Sequence, residues 1–254
     1  MRLIPPRAAA AALVLLLAGV LAGCSVAPDT GGVHDPYEAQ NRQVHAFNRD
    51  FDRAVVRPMA RGFAGEGEPS DLVIVISNLG ENLSAPQYAA NRLLQGDLPA
   101  ASRNVLRFAL NSTLGFGGLF DVASEMGLAP DETDFGETLY VWGVPEGAYQ
   151  ELPILGPSTE RRTAGRVVDL VTNPLGYALP RPERHYSTAI RIAGRLASRA
   201  RFGGTVDSVL HDSADSYAQT RLIYLQNRRF ELSGGESVSA EEEFTDPYEE
   251  LYGE

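Results

Sequence analysis

The chain has 254 residues, 44% of them hydrophobic, with a formal net charge of −11, room for one large domain or two small ones. A net-acidic body without a lysine or arginine cluster excludes nucleic acid as a partner. All 22 basic residues are arginine; arginine grips phosphate bidentately, although a GC-rich genome produces the same bias.

At the amino terminus Arg2 and Arg7 precede an apolar stretch, "AAAAALVLLLAGVLAG", which ends at Cys24, the only cysteine. That is the pattern of a secretory signal rather than of a structural helix. Leu21-Ala22-Gly23-Cys24 resembles a bacterial lipobox, in which the cysteine becomes the first mature residue and carries acyl chains; the alternative is an unpaired thiol at a signal junction. The expectation is a lipoprotein signal over 1–23, lipidation at Cys24 and a linker over 24–32. Ser25 stands where Asp would mark inner-membrane retention, which favours the outer membrane. Each buried methylene of an acyl chain is worth about 0.8 kcal/mol, so several chains anchor durably.

Between Tyr37 and Val56 the apolar residues Tyr37, Val44, Phe47, Phe51 and Val55 recur at spacings of three, four and seven. This predicts an amphipathic helix, stopping at Arg57 because Pro58 disfavours helix in the residue before it. Ser70 is a good N-cap for a helix over 71–83, although "LVIVI" at 72–76 equally suits a buried strand. Ser84 and Pro86 then open a short helix closed by Gly96. Asp97 caps the next, which has a greasy stripe (Leu98, Ala101, Val105, Phe108) and a cationic stripe (Arg103, Arg107, Asn111) at intervals of four.

That helix runs into "LRFALNSTLGFGGLFDVA", residues 106–123. The segment is too apolar for an ordinary surface loop. It is also too interrupted, by Asn111 to Thr113 and by Gly115, Gly117 and Gly118, for a span of about 20 apolar residues. A helix over 121–128 follows. Residues 135–158, "FGETLYVWGVPEGAYQELPILGPS", form a Gly/Pro-rich stretch whose Tyr140, Trp142 and Tyr149 suit either a membrane headgroup layer or a surface hairpin. Helical pattern returns over 163–171, 187–201 and 206–230. The expected fold is all-α: one domain of short helices over 33–230.

From Glu231 to Glu254 there are nine acidic residues and no basic one. Without that tail and the two signal arginines, 24 acidic face 20 basic residues, a charge near −4. The tail reads as a disordered, solvated segment or as a docking motif, since "DPYEELY" echoes "DPYE" at 35–38.

No zinc spacing, nucleophile elbow or P-loop occurs, so an enzyme is not expected, nor a metal or other cofactor. "HDSADS", 211–216, groups Ser, His and Asp, but neighbours along a helix point apart whereas a triad is a relay in space; it reads as a solvated helix face. Asp131, Glu132 and Asp134 lack the glycine and final glutamate of a calcium loop and read as loop carboxylates.

"DPYEAQNRQVHAFN" (35–48), "VVRP" (55–58), "NRLLQGD" (91–97), "RFALNSTLGFGGLFDVA" (107–123), "FGETLYVWGV" (135–144), "LPILGPS" (152–158) and "YLQNRR" (224–229) resemble the MlaA (VacJ) family of outer-membrane lipoproteins. Ser216 departs from the family's usual "DPY". The resemblance implies a helical disc or ring lying in one leaflet of the outer membrane on its periplasmic side, beside a trimeric porin. It implies removal of mislocalised phospholipid from the outer leaflet through an amphipathic channel, delivery to a periplasmic phospholipid carrier, and so maintenance of lipid asymmetry. On that reading Phe108, Leu110, Leu114, Phe116, Leu119 and Phe120 line the channel or face lipid. Arg103 and Arg107 are candidates for headgroup phosphate, and Phe47 with Asn48 for a gate. The alternative is a non-transporting outer-membrane lipoprotein scaffold packed around a closed core; a periplasmic lipase is disfavoured for want of a nucleophile and base.

Overall fold

The computed structural model describes residues 33–64, 70–180 and 183–234. Cys24, the signal and the linker lie outside the described residues, as does the tail from 235 onward. Helix α1 (Glu38–Phe51) forms where the apolar spacing predicts it, but the chain does not leave the helical path at Arg57. A π-helical turn, Asp52–Val56, is followed directly by α2 (Arg57–Ala64), which contains Pro58. Proline lacks an N–H, and its ring clashes with the carbonyl four residues back. In the wider π turn the bonds reach five residues back, as from the Arg57 N–H to the Asp52 carbonyl, which makes room for the ring.

The two helices expected over 71–96 are one, α3 (Asp71–Leu94), with Pro86 inside it. Ser70 precedes it without a side-chain cap bond. An interior proline costs about 3 kcal/mol; packing of α3 between α4 (Leu98–Thr113) and α9 (Glu183–Arg201) offsets this. The closest approach is at Gly80 and Gly194, where a Cβ built on either would lie 3.3 Å from the other's Cα. Glycine at both positions lets the two backbones touch. Asp97 caps α4 as predicted, accepting from the Ala100 N–H at 3.0 Å.

Beyond α5 (Val122–Glu125) and α6 (Phe135–Val141) comes an antiparallel hairpin, β1 (Tyr149–Leu152) and β2 (Gly156–Thr159), in register Tyr149 to Thr159 and Leu152 to Gly156. Helices α7 (Glu160–Thr172) and α8 (Pro174–Ala178) lead to α9. The helix expected over 206–230 is broken into α10 (Gly203–Leu210) and α11 (Ser216–Leu232). Asp215 causes the break by accepting from the Ala218 N–H at 3.1 Å, an N-cap that starts a new helix.

Apolar packing is modest. Phe135, Leu139 and Val144 form one cluster with Ala164 and Val168; Tyr149, Tyr217 and Leu225 form another with Tyr224. Tyr149 is thereby a core residue, 1% exposed, while Tyr140 and Trp142 stay on the surface. Among the described residues no helix is long and apolar enough to cross a membrane.

Candidate functional site

Among the described residues exposed large hydrophobics outnumber buried apolar ones, and about half of the buried ones are alanines. The buried set is instead rich in Asn41, Asn82, Asn91, Asn104, Arg107, Asn111, Glu151, Arg161 and Arg228. Soluble domains bury Leu, Ile and Phe and keep Arg and Glu outside; here the preference is largely turned round.

Helix α4 shows it most clearly. Its inward face carries Asn104, Arg107 and Asn111, whereas Leu98, Val105 and Leu106 face outward. Both Arg107 and Asn111 converge on Asp121. Arg107 Nη2 donates to the two carboxylate oxygens at 3.0 and 3.1 Å, and Asn111 Nδ2 donates to Oδ1 at 2.8 Å. Arg107 Nη1 donates to Ser124 Oγ and to the Leu128 carbonyl, and Asn111 Oδ1 accepts from the Ala123 N–H. Burial pushes the Asp121 carboxyl up, but the bonds from Ser124, Asn111 and Arg107 outweigh it and hold the group below the usual carboxylate range. Arg107 therefore has both its Nη groups committed inside the fold. Arg103 is exposed and lies 3.4 Å from Asp131.

Between these anchors the glycine-interrupted turn projects outward. Phe116 is 74% exposed, with Leu114 and Phe120 also exposed and Phe108, Leu110 and Leu119 half-buried. Gly118 takes φ +99°, and a Cβ there would lie 2.6 Å from Asn82 Nδ2; only glycine allows the turn to close on α3. Behind it α3, α4 and the loop over 130–132 enclose a polar cleft lined by Glu81, Asn82, Tyr88, Asn104, Arg107 and Asp131, among others. Asp131 is held by Arg92, and Asp134 by Arg228 at 2.7 Å, so two of the three loop carboxylates brace the fold.

A second construction joins α1 to the hairpin. Asn41 donates to the Tyr149 carbonyl at 3.1 Å and accepts from the Glu151 N–H at 3.0 Å. One heptad on, Asn48 donates to the Leu152 carbonyl at 2.9 Å and accepts from the Ile154 N–H at 2.7 Å. Seven helical residues rise about 10.5 Å, close to the span of β1, so two side-chain amides take the place of a neighbouring strand on an edge that would otherwise be bare. Asn48 also donates to the buried Glu151 carboxylate, and Tyr149 Oη donates to its other oxygen. Phe47 projects outward and stacks on Phe51 with centroids 6.2 Å apart. The first "DPYE" is clamped similarly: Asp35 accepts from Asn41, Tyr217 and Arg221.

A third group gathers Asp52 of the π turn, Asp207 and His211, whose ligand atoms lie within 4.8 Å of one another. Arg199 sits between the carboxylates, at 2.9 Å from Asp52 and 2.6 Å from Asp207, and His211 Nε2 lies 2.9 Å from Asp52. With a guanidinium already bridging the acids, the group acts as an ion-pair lock between π turn, α9 and α10. The His211 side chain, 4% exposed, lies within it, which corrects its expected place on a solvated face.

Sequence reasoning did not find the buried amides. Their signal was present as a heptad of asparagines in α1 and as Asn104 and Asn111 in α4. What resulted is an all-helical single domain with a small hairpin, polar groups turned inward and apolar ones outward. Comparison with known proteins names it. Residues 33–231 match the MlaA lipoprotein family. The intermembrane phospholipid transport system lipoprotein MlaA of Escherichia coli (strain K12) is 34% identical over 227 residues, covering 85% of this chain and 86% of the relative. Its namesake from Haemophilus influenzae is 30% identical over 240 residues, 91% of this chain and 94% of the relative. An uncharacterized protein of Rickettsia typhi is 35% identical over 191 residues, 74% of each. A solved structure described as "Structural basis for maintenance of bacterial outer membrane lipid asymmetry" superposes with a TM-score of 0.65 at 31% identity, over 78% of this chain and 98% of that chain. The chain belongs to the MlaA lipoprotein family.

Proposed function

We propose that this protein is a phospholipid-transport lipoprotein of the outer membrane, anchored through Cys24 on the periplasmic side. Its helices lie in one leaflet, and lipid from the outer leaflet passes a polar interior to a periplasmic carrier, with a trimeric porin as neighbour. The names of the relatives support the general role. The observation that carries the reading is the exchange of inside and outside: polar side chains bonded within, and Leu114, Phe116, Phe120, Leu170 and Tyr177 bare without. A face of that kind is stable when its surroundings are hydrocarbon.

Energetics explain the need for such a passage. A phospholipid with two 16-carbon tails carries about 30 apolar carbons, so exposing both tails to water costs roughly 24 kcal/mol at about 0.8 kcal/mol per methylene. Transfer without an energy source has to keep the tails in hydrocarbon while the head follows polar groups. Backbone that is not helical is tolerated at membrane depth where it lines such a cavity, which gives the turn over 114–120 its role. On this reading Asn48 restrains the hairpin and Phe47 flanks it, so that together they limit opening. The scaffold alternative calls for a filled apolar core, and the scarcity of buried large hydrophobics among the described residues speaks against it.

The test is deletion of the gene, with surface-exposed phospholipid measured and complementation by wild type and by Cys24→Ala. Deletion raises exposed phospholipid, wild type restores it and Cys24→Ala does not. An unchanged surface after deletion would overturn the transport role.

A further inference from the structure

Three residues far apart in the chain meet beside the first turn of α11. Ser216 Oγ lies 3.0 Å from Nε2 of His45 in α1, and both residues are buried. On the other side of the imidazole His45 Nδ1 makes no hydrogen bond, and Oε1 of Glu151 in β1 stands 3.5 Å away. Glu151 is itself held in place: Oε1 accepts from Asn48 at 3.0 Å and Oε2 from the Tyr149 hydroxyl at 2.6 Å. Tyr217 packs edge-on against the imidazole, with centroids 5.6 Å apart. With the ring proton on Nδ1, toward Glu151, Nε2 accepts from the Ser216 hydroxyl. Hydroxyl, imidazole and carboxylate then stand in the order of a nucleophile, its base and the group that orients the base.

Two further observations separate this set from ordinary packing. The Glu151 side chain, 2% exposed, makes no ion pair with an arginine among the described residues; His45 is the group within reach of it. A buried carboxylate is costly unless a cation meets it, and an imidazolium formed when His45 takes the serine proton does so. The pair also opens on space. A cavity of about 170 Å³ is lined by Arg42, His45, Arg49, Asp215, Ser216 and Tyr217, among others. Arg42 is committed to Glu38 and Asp215. Arg49 Nε, in contrast, is buried without a hydrogen-bond partner, its ion pair with Asp50 being 3.8 Å long. A cavity of about 150 Å³ holds a benzene ring, so this one takes a short acyl chain and excludes a diacyl lipid.

We propose that Ser216, His45 and Glu151 form a hydrolytic site for short-chain carboxylic esters. The Ser216 oxygen bonds to the ester carbonyl carbon as its proton passes to His45 Nε2, and Arg49 Nε is the donor left in the cavity for the carbonyl oxygen as it gains charge. The bond from that carbon to the alcohol oxygen then breaks, and the alcohol leaves with the proton from His45. Water, deprotonated by His45, attacks the acyl-serine; the acid departs and the serine regains its proton. Ester and water thus give acid and alcohol with no other reactant. The activity stands apart from lipid transport, whose two-tailed cargo does not fit this cavity.

The test uses the full-length protein in detergent, in a Cys24→Ala background so that its only thiol does not compete. A fluorophosphonate probe labels Ser216, located by peptide mass spectrometry, and p-nitrophenyl butyrate is hydrolysed with release of p-nitrophenol. Ser216→Ala abolishes the labelling and, like His45→Gln, slows release by about a hundredfold or more, while circular dichroism stays that of the parent. Glu151→Gln keeps the shape but removes the charge facing the imidazolium, and slows release by about tenfold or more. A serine that only packs against a histidine leaves the probe unreactive. Absence of label on the parent protein, a label on another residue, or release unchanged in Ser216→Ala would overturn the assignment.

Discussion

Asp121 is the group whose removal tests the inverted interior most sharply. It receives Arg107 through two bonds and Asn111 and Ser124 through others, and it caps α5. Asp121→Ala therefore strands a guanidinium whose side chain is only 7% exposed. Breaking a buried pair from one side costs about 3–5 kcal/mol, and the lost cap adds about 1 kcal/mol. Against the roughly 5–15 kcal/mol that holds a typical domain together, this is a large fraction. Arg107→Leu is expected to be milder, about 1–3 kcal/mol, because the carboxylate keeps Asn111 and Ser124 as donors. The double variant should then cost less than the sum of the two, with a coupling of about 2 kcal/mol. Urea unfolding of the detergent-solubilised protein, followed by circular dichroism, measures all three. Strict additivity, or an Arg107 variant less stable than the Asp121 variant, would refute the argument.

Three further outcomes are expected. Asn48→Ala removes one bond to the Leu152 carbonyl of β1, one to the Ile154 N–H of the hairpin turn and one to the Glu151 carboxylate; it should cost about 2–3 kcal/mol and accelerate exchange of the Ile154 amide, and unchanged exchange would dismiss the strand-mimic role. Asp52 and Asp207 lie below the usual carboxylate range because bonds from Arg199, with His211 and Arg57, outweigh burial. Their stabilisation is complete above the unfolded value near pH 4 and is lost as pH falls through the lower folded values; the melting temperature should fall below about pH 4, less steeply in Asp52→Asn, and equal slopes would contradict this. Gly118→Ala combines an adverse φ with contact on Asn82 and should cost at least about 1–3 kcal/mol; a silent substitution would show that the turn tolerates a side chain.

Much of the fold was legible where local chemistry and tertiary packing agree. Asp97 announced α4, and the heptad pattern over 37–51 announced α1. Proline misled twice: Pro58 is accommodated by a π turn and Pro86 by burial of α3 against two neighbours, and neither remedy is visible in a local window. Helix α4 shows a deeper limit. Its greasy and polar stripes were readable, but periodicity does not say which stripe faces the centre when the surroundings are lipid. Arg107 was thus read as a candidate for headgroup phosphate, though Asp121, the carboxylate it binds, lies only 14 residues along. Asp215 could have been read as the start of α11, since an aspartate ahead of a helical run is an N-cap signal.

The most direct measurement is the depth of the glycine-interrupted turn in a bilayer. In a Cys24→Ala background, a fluorophore on Phe116→Cys or Phe120→Cys, in vesicles of lipids brominated along the tails, should be strongly quenched. The same label on Asn227→Cys, in the last helix, should not be. Equal, weak quenching at all three positions would contradict the claim that the apolar exterior rests in hydrocarbon.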